Sequence, residues 1–403
     1  METATATFRR HHGTDPGLRL RSPGRINLIG DHTDYCGLPV LPMAIAQGID
    51  IAGDTSPQPG LRAVSTLDEA AVDSEEVGER AGWGRYLLAV HDQLAPLNQT
   101  GLGAQLAFDG DLPSTGGLSS SSALAVGAVA ALNELWHLGL TGERIVELAV
   151  AAERAAAIAG GAMDQTVITF ASPGHALLIE FDQPSRRDIA VPDGFRWIAG
   201  YSGTKAPKGD SAADAYNSFV LASRAAATLV ADAAGVDPGS PAQLSTVRRV
   251  DPAALADLPT LTVSEAAELT GGDDLDLAPG HRLDLHISAE HVLSEARRVD
   301  EAADALAAGD REAMGRLMDQ SHVSLSRYGS TTDGLDRLVA AARAAGADGA
   351  RVTGAGFGGW AIALAADQYA DAVSQAMHDA CGGPTFEAVA SAGVLASIGS
   401  AER

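Results

Sequence analysis

Between about Leu18 and Trp197 the chain alternates short apolar runs with glycine-rich turns. Gln105–Phe108 and Ala176–Phe181 (ALLIEF) have the length and composition of strands. Ser122–His137 is apolar nearly all round, which predicts a buried helix. Glu143–Ile158 places Ile145, Leu148 and Ala152 on one face, an amphipathic helix. Phe195–Tyr201 reads as a strand that leads into a second half dominated by helices. These are Ala212–Ala234, Ser264–Leu269, His286–Ala308, Arg311–Leu325 and Asp336–Ala345. Asp237–Pro279, rich in Pro, Asp and Gly, is expected to be a loop-bearing insert, and Arg351–Ala365 a strand, a glycine loop and a strand. The pattern predicts two closely packed α+β domains, 1–197 and 198–403.

Composition narrows the function. The 403 residues exceed one ordinary core. With 28 Lys and Arg against 52 Asp and Glu, the net charge of −24 excludes a nucleic-acid or anionic-membrane binder, which needs a cationic surface. Two cysteines, Cys36 and Cys381, form no disulfide framework, so a reducing compartment is expected. Met1–Gly13 has no apolar core of a secretory leader, and apolar stretches such as Ala123–Leu132 are too short to span a bilayer. A cytoplasmic monomer is the default expectation. Only two lysines occur, Lys205 and Lys208, and neither stands in a Walker-A loop or on a protein-kinase strand. A chain of this kind that handles phosphate must use backbone amides, hydroxyls, arginine and metal.

Four segments carry the chemistry. In Asp111-Leu-Pro-Ser-Thr-Gly-Gly-Leu-Ser-Ser-Ser-Ser-Ala-Leu124, glycines let the backbone approach a ligand and four serines open a helix. The unpaired N–H groups and the dipole of that helix start make an anion cradle for a di- or triphosphate, and the hydroxyls suit Mg²⁺. Alone, the same segment is equally a serine-rich cap. Val352-Thr-Gly-Ala-Gly-Phe-Gly-Gly359 is a tight backbone surface or, by itself, a hairpin turn. Arg21-Ser-Pro-Gly-Arg-Ile-Asn-Leu-Ile-Gly-Asp-His-Thr-Asp-Tyr-Cys-Gly37 runs an apolar strand into Asp31, His32, Asp34 and Tyr35, a polar group suited to a polyol or a metal. Gly160-Gly-Ala-Met-Asp-Gln165 follows Glu153, and its Asp164 gains meaning only as part of a set.

As a set, these segments resemble the galactokinase branch of the GHMP small-molecule kinases. Gly24-Arg-Ile-Asn-Leu-Ile-Gly-Asp-His-Thr-Asp-Tyr35 is similar to that family's G-R-V-N-L-I-G-E-H-T-D-Y, and the other motifs follow in the family order over most of the chain. Glu290-His-Val-Leu-Ser-Glu-Ala-Arg-Arg-Val299 and Met318-Asp-Gln-Ser-His-Val-Ser-Leu325 add to the likeness. The resemblance implies the two-domain GHMP kinase fold with its active site in the interdomain cleft, and an ATP- and Mg²⁺-dependent sugar-1-kinase acting on galactose. It implies Asp164 as the catalytic aspartate and Arg25 as the arginine paired with it. Asp31, His32, Asp34 and Tyr216 are implied as sugar contacts. The implied ATP-binding residues are Pro113, Gly116, Gly117, Leu118, Ser119, Ser120, Ser121 and Ser122, and the implied Mg²⁺ ligands are Ser121 and Glu153.

Departures from the family pattern bear on the sugar. Asp31 replaces the family Glu, which withdraws the carboxylate by roughly 1.5 Å, one carbon–carbon bond. Loss of a sugar hydrogen bond there would cost ~0.5–1.5 kcal/mol. Phe219 stands where the family has Arg, and Lys205 and Lys208 are the nearby cations that could replace that charge. Tyr35-Cys-Gly37, the four serines, the Glu153-to-Asp164 spacing and Ala355 are closer to N-acetylgalactosamine kinases. That sugar is therefore the alternative substrate. A non-catalytic galactose and ATP sensor is the alternative of another class, disfavoured by the intact serine loop.

Overall fold

Bulky apolar residues cluster on two sheets and on the helices that cover them. The computed structural model describes residues 3–66, 71–75, 82–156, 160–205, 210–239, 241–248, 252–272, 275 and 277–401. Lys208 lies outside the described residues.

The first half opens with helix α1 (Ala4–His12), capped by the Thr3 hydroxyl and stopped by Gly13 in the left-handed conformation. Strands β1 (Leu18–Ile29) and β2 (Leu41–Ser56) then pair antiparallel, with register breaks at Pro23/Arg25 and Asn27/Ile29. Strands β3 (Leu61–Ser65), β4 (Val72–Asp73) and β5 (Gly103–Gly110) complete a sheet of order β1-β2-β5-β3-β4. Helix α2 (Gly84–Leu94) precedes β5. Helix α3 (Ser120–Leu135) is buried on nearly every side and packs on β1 and β2, flanked by α4 (Gly142–Ala155) and α5 (Met163–Phe170). A hairpin, β6 (His175–Glu180) and β7 (Ser185–Ala190), leads to β8 (Arg196–Tyr201).

The second half is helix-rich. Helix α6 (Asp210–Ala234) and α8 (Leu285–Ala308) enclose the described part of the insert, which is more ordered than its composition predicts. It contains β9 (Thr260–Thr262) and α7 (Val263–Leu269), and β10 (Arg282–Asp284), just after it, pairs antiparallel with β9. Leu244, Val247, Leu255, Val263 and Ala266 from it are buried with Cys36 and Leu38 of the sugar-type motif. Helix α9 (Arg311–Tyr328) runs three residues beyond expectation, to a left-handed Gly329, and α10 (Asp333–Ala344) begins early because the Thr332 hydroxyl caps it. Strands β11 (Gly349–Val352), β12 (Trp360–Ala365) and β13 (Thr385–Glu387) join β8 in an antiparallel sheet of order β11-β12-β8-β13, covered by α10 and α11 (Asp367–Cys381).

The expected boundary at 197/198 falls inside β8, and the chain ends by returning to the first half. Helix α12 (Val394–Ala401) packs on β1 and α5, after Ser391 N–H donates to Ala44 C=O at 2.9 Å. One apolar core accordingly runs from Ile26 and Leu28 through Trp197 and Met314 to Trp360 and Val394. No helix of the described residues is long and apolar enough to cross a membrane.

Candidate active site

The irregularity of β1 at Pro23/Arg25 positions the first candidate side chain. A break of register turns a strand residue away from its regular face. Arg25 is buried, and its guanidinium forks onto Asp164, Nε to Oδ1 at 2.8 Å and Nη2 to Oδ2 at 2.9 Å. Its remaining nitrogen, Nη1, donates to Gly117 C=O at 2.7 Å. Asp164 lies in the first turn of α5, and the Ser119 hydroxyl donates to its Oδ2. The sequence-predicted pair Arg25 and Asp164 is thus assembled from segments 139 residues apart and tied to the glycine-serine loop.

That loop leaves an open helix start. Ser119, the residue before α3, is left-handed at φ 59° and ψ 41°, and its side chain caps no N–H of the helix. Its hydroxyl has gone to Asp164 instead. The first amides of α3 therefore lack a side-chain partner, and the dipole adds positive character at that point. Gly116, Gly117, Ser120 and Ser121 are partly exposed around this start, as is Pro113, whereas Leu118 and Ser122 are buried.

The second glycine loop, between β11 and β12, is both the expected hairpin and a brace for the first. A Cβ on Gly354 would lie 3.1 Å from Gly117 O, and one on Gly359 would lie 2.8 Å from Gly116 O. Both glycines have positive φ. Backbone meets backbone only because neither carries a side chain. Trp360 Nε1 also donates to Thr115 Oγ1 at 2.9 Å.

Glu153, on α4, faces the same region. Its Oε2 accepts from Ser122 Oγ at 3.1 Å and from Gln165 Nε2 at 2.6 Å, while Oε1 is buried with no partner. Burial, and then the charge of Asp164, push its carboxyl up to about 7. It is Ser122 rather than Ser121 that meets Glu153, and Gln165 is a partner the sequence reading did not single out, although it adjoins Asp164.

The four residues expected at the sugar divide into two pairs. Asp34 is half-buried and couples electrostatically to Asp164. Burial first, and that charge second, push its carboxyl up to about 6. It packs so closely on the loop before α5 that a Cβ on Gly161 would fall 2.1 Å from Asp34 Oδ2. Tyr216, on α6, lies with its ring 5.4 Å from that of Tyr35 and 5.8 Å from that of His32. Asp31 and His32, by contrast, are buried.

Asp31 Oδ1 accepts from Asn27 Nδ2 at 2.8 Å and from Gly354 N at 3.1 Å, and its Oδ2 pairs with Arg351. His32 is held well below its ordinary range, at about 3, mainly by burial, and is neutral. Its Nε2–H donates to Ala355 C=O at 3.1 Å, and Nδ1 accepts from Tyr35 Oη at 3.2 Å.

Two further features escaped the sequence reading. Arg351 and Glu295 are fully buried, and Glu295 accepts from Gly30 N at 3.0 Å and from Arg298 Nε at 2.7 Å. Burial opposes its charge, but Arg351 and Arg298 outweigh that and hold its carboxyl down at about 2. The available signal was a charge inside an apolar run, as in Gly349-Ala-Arg-Val352. The second feature is an aromatic wall. Phe219 stacks on Tyr328 at 4.1 Å and lies parallel to Phe357 at 5.7 Å. A ring thus occupies the place of the expected cation, and no role for Lys205 emerges from its surroundings.

Comparison with known proteins follows the same division of the chain. Residues 6–55, which hold Arg25 through Asp34, match the galactokinase galactose-binding signature. Residues 85–172 match the GHMP kinases N terminal domain, and residues 302–383 the GHMP kinases C terminal domain. A galactokinase from Chloroflexus aurantiacus is 34% identical over 94% of this chain and 92% of its own length. One from Streptomyces coelicolor is 31% identical over 97% of both. The crystal structure of Lactococcus lactis galactokinase complexed with galactose superposes with a TM-score of 0.78, at 26% identity, over 96% of this chain and 97% of that one. A mevalonate kinase, at 18% identity and a TM-score of 0.62, shares the fold. Matched by the galactose-binding signature and by both GHMP kinase domain models, and 31–34% identical to galactokinases over most of its length, this chain belongs to the galactokinase family of the GHMP kinases.

Proposed function

We propose that this chain transfers the γ-phosphoryl group of ATP to the anomeric hydroxyl of galactose, giving galactose 1-phosphate and ADP. The observation that carries this reading is Asp164, fixed by the Arg25 fork and the Ser119 hydroxyl beside the open start of α3. The match to the galactose-binding signature and the galactokinase relatives support galactose as the acceptor.

The chemistry follows from this placement. The α3 amides and the Gly116–Ser121 loop hold the nucleotide's phosphates, as an uncapped helix start does. The sugar oxygen attacks the γ-phosphorus in line with the leaving group. Its new bond forms as the bond from phosphorus to the bridging oxygen of ADP breaks. The hydroxyl proton passes to Asp164. Arg25 fixes that carboxylate and adds positive charge near the transferring group, so catalysis rests on positioning and electrostatics. Asp34 and Tyr216 supply the polar contacts that orient the sugar.

The oxygen donors also fit a divalent cation. Glu153 keeps one buried carboxylate oxygen without a partner, and magnesium sites commonly combine one or two carboxylates with substrate phosphates. Glu153 would hold it with a serine hydroxyl of the α3 start, and when bound it would draw charge from the phosphate oxygens as a Lewis acid.

The test is ADP release by the purified protein with ATP and magnesium against galactose, N-acetylgalactosamine, glucose and arabinose. Galactose is expected to give the highest kcat/KM, by at least about tenfold, with the product's phosphorus coupled to the C1 proton by NMR. No turnover of galactose, or a faster reaction with another sugar, would refute the reading.

A further inference from the structure

The four serines at the start of α3 divide by burial. Ser119 and Ser122 are buried, at 8% and 3% exposure, whereas Ser120 and Ser121 between them are partly exposed. Each buried hydroxyl serves a carboxylate. Ser119 donates to Asp164 Oδ2, and Ser122 donates to Glu153 Oε2 at 3.1 Å. The phosphates and a cation are thereby left with Ser120 and Ser121.

Glu153, near the end of α4, is gripped from two other helices at once. Ser122 comes from the first turn of α3 and Gln165 from the first turn of α5, and Gln165 Nε2 donates to the same Oε2 at 2.6 Å. Two donors fill the acceptor positions of that oxygen. Oε1 is buried and takes no hydrogen bond, so the carboxylate is fully engaged on one oxygen and open on the other. A buried acceptor left open costs free energy that a ligand bound to it recovers. Gln165 is itself 4% exposed, and its contact with Glu153 fixes which way its amide faces. It also follows Asp164 directly. One turn of α5 thus carries both the carboxylate that takes the proton and the amide that sets Glu153.

We propose that Ser122 and Gln165 are positioning residues for Glu153: they occupy Oε2 and so make Glu153 a one-oxygen ligand, through Oε1, of the divalent cation that accompanies ATP. The inference rests on the kinase reading with a cation at Glu153. It takes Ser122 out of the ATP-binding residues that the resemblance implies and assigns it to the carboxylate instead. Magnesium demands near-octahedral geometry and keeps several of its waters. A carboxylate held at one angle with a single free oxygen suits it better than one free to turn, and groups that orient a ligand in this way govern metal affinity almost as strongly as the ligand does.

The test measures, by calorimetry, the dissociation constant of a non-hydrolysable ATP analogue with Mg²⁺ and with EDTA, for wild type, Ser122→Ala and Gln165→Met. Each change deletes its donor to Oε2 outright, and either variant serves if the other does not fold. Wild-type turnover of galactose is the separate control, and its absence would fail the functional reading rather than this one. Both variants are expected to bind the magnesium complex of the analogue ~10-fold or more weakly than wild type, while the metal-free analogue stays within about threefold. In a Glu153→Ala background, where no carboxylate is left to orient, Gln165→Met should cost no further affinity. Equal weakening with and without Mg²⁺ would overturn the proposal, since it would mean a disturbed phosphate cradle. So would unchanged binding of the magnesium complex, or a wild type that binds the analogue equally well in EDTA. A loss confined to Ser122→Ala would make that hydroxyl a direct ligand, and a further loss in the Glu153→Ala background would mean that Gln165 does not act through Glu153; either result overturns it as well.

Discussion

Asp34 carries a carboxyl whose ionisation falls within the working range of pH, because burial and the Asp164 charge push it up to about 6. Its ionised form offers acceptors to sugar hydroxyls, and protonation removes that charge. Galactose KM should therefore be flat above pH ~7 and climb as pH falls through about 6, approaching tenfold per unit. Asp34→Asn should show a high KM without this slope. A KM unchanged between pH 5 and 7 at saturating ATP would contradict the assignment. The sign for stability is opposite. Since the folded state binds this proton more tightly than the unfolded chain, the group favours the ligand-free fold as pH falls below about 6. At this scale the sequence was most legible where residues are set in ordered motifs, as for Arg25 and Asp164. It was least legible where a side chain's partner is distant. Ser119 reads as one more phosphate-loop serine, yet it serves Asp164. The partner of Asp31, Arg351, is 320 residues away and no motif announces it.

Among the elements, the two glycine loops act as one unit, and substitutions can separate close approach from backbone freedom. Gly359→Ala would place a Cβ 2.8 Å from Gly116 O at φ +78°. It should raise the KM for ATP ~10-fold or more with little change in galactose KM. Gly382→Ala is the control, since that glycine has a similar φ of +66° but nothing within 4 Å of its would-be Cβ. It should lower stability by about 1 kcal/mol and leave both KM values alone. Equal effects of the two changes on ATP KM would show that the loops do not brace each other. Long helices were readable from apolar periodicity, as α3, α4 and α8 show, with ends moved by caps such as Thr332 and stops such as Gly329. The β1–β2 pair was visible only at its Ile26–Ile29 end, because long buried stretches of both strands remove the alternation that marks a half-buried strand. In the insert the helix at Ser264–Leu269 was legible, but the rest was not, because its Pro, Asp and Gly punctuate short elements whose apolar residues are buried against α6, α8 and the distant Cys36 and Leu38.

For the whole molecule, what matters is that the halves share one core and that the reactive centre lies where they meet. Arg25 and Asp164 belong to the first half, whereas the loop bracing the phosphate cradle and the ion pair anchoring Asp31 belong to the second. The two-half organisation could be read from the change to helix-rich sequence after Tyr201. The crossing of the core and the return of α12 to β1 could not, since both depend on contacts between distant segments. The most direct measurement is turnover and ligand-induced stabilisation of Asp164→Asn, which keeps the side chain's shape and removes its ability to take the hydroxyl proton. The expected result is a kcat on galactose at least ~10²-fold below wild type, while galactose with a non-hydrolysable ATP analogue still raises the melting temperature. Turnover within a few-fold of wild type would contradict the central claim that Asp164 accepts that proton.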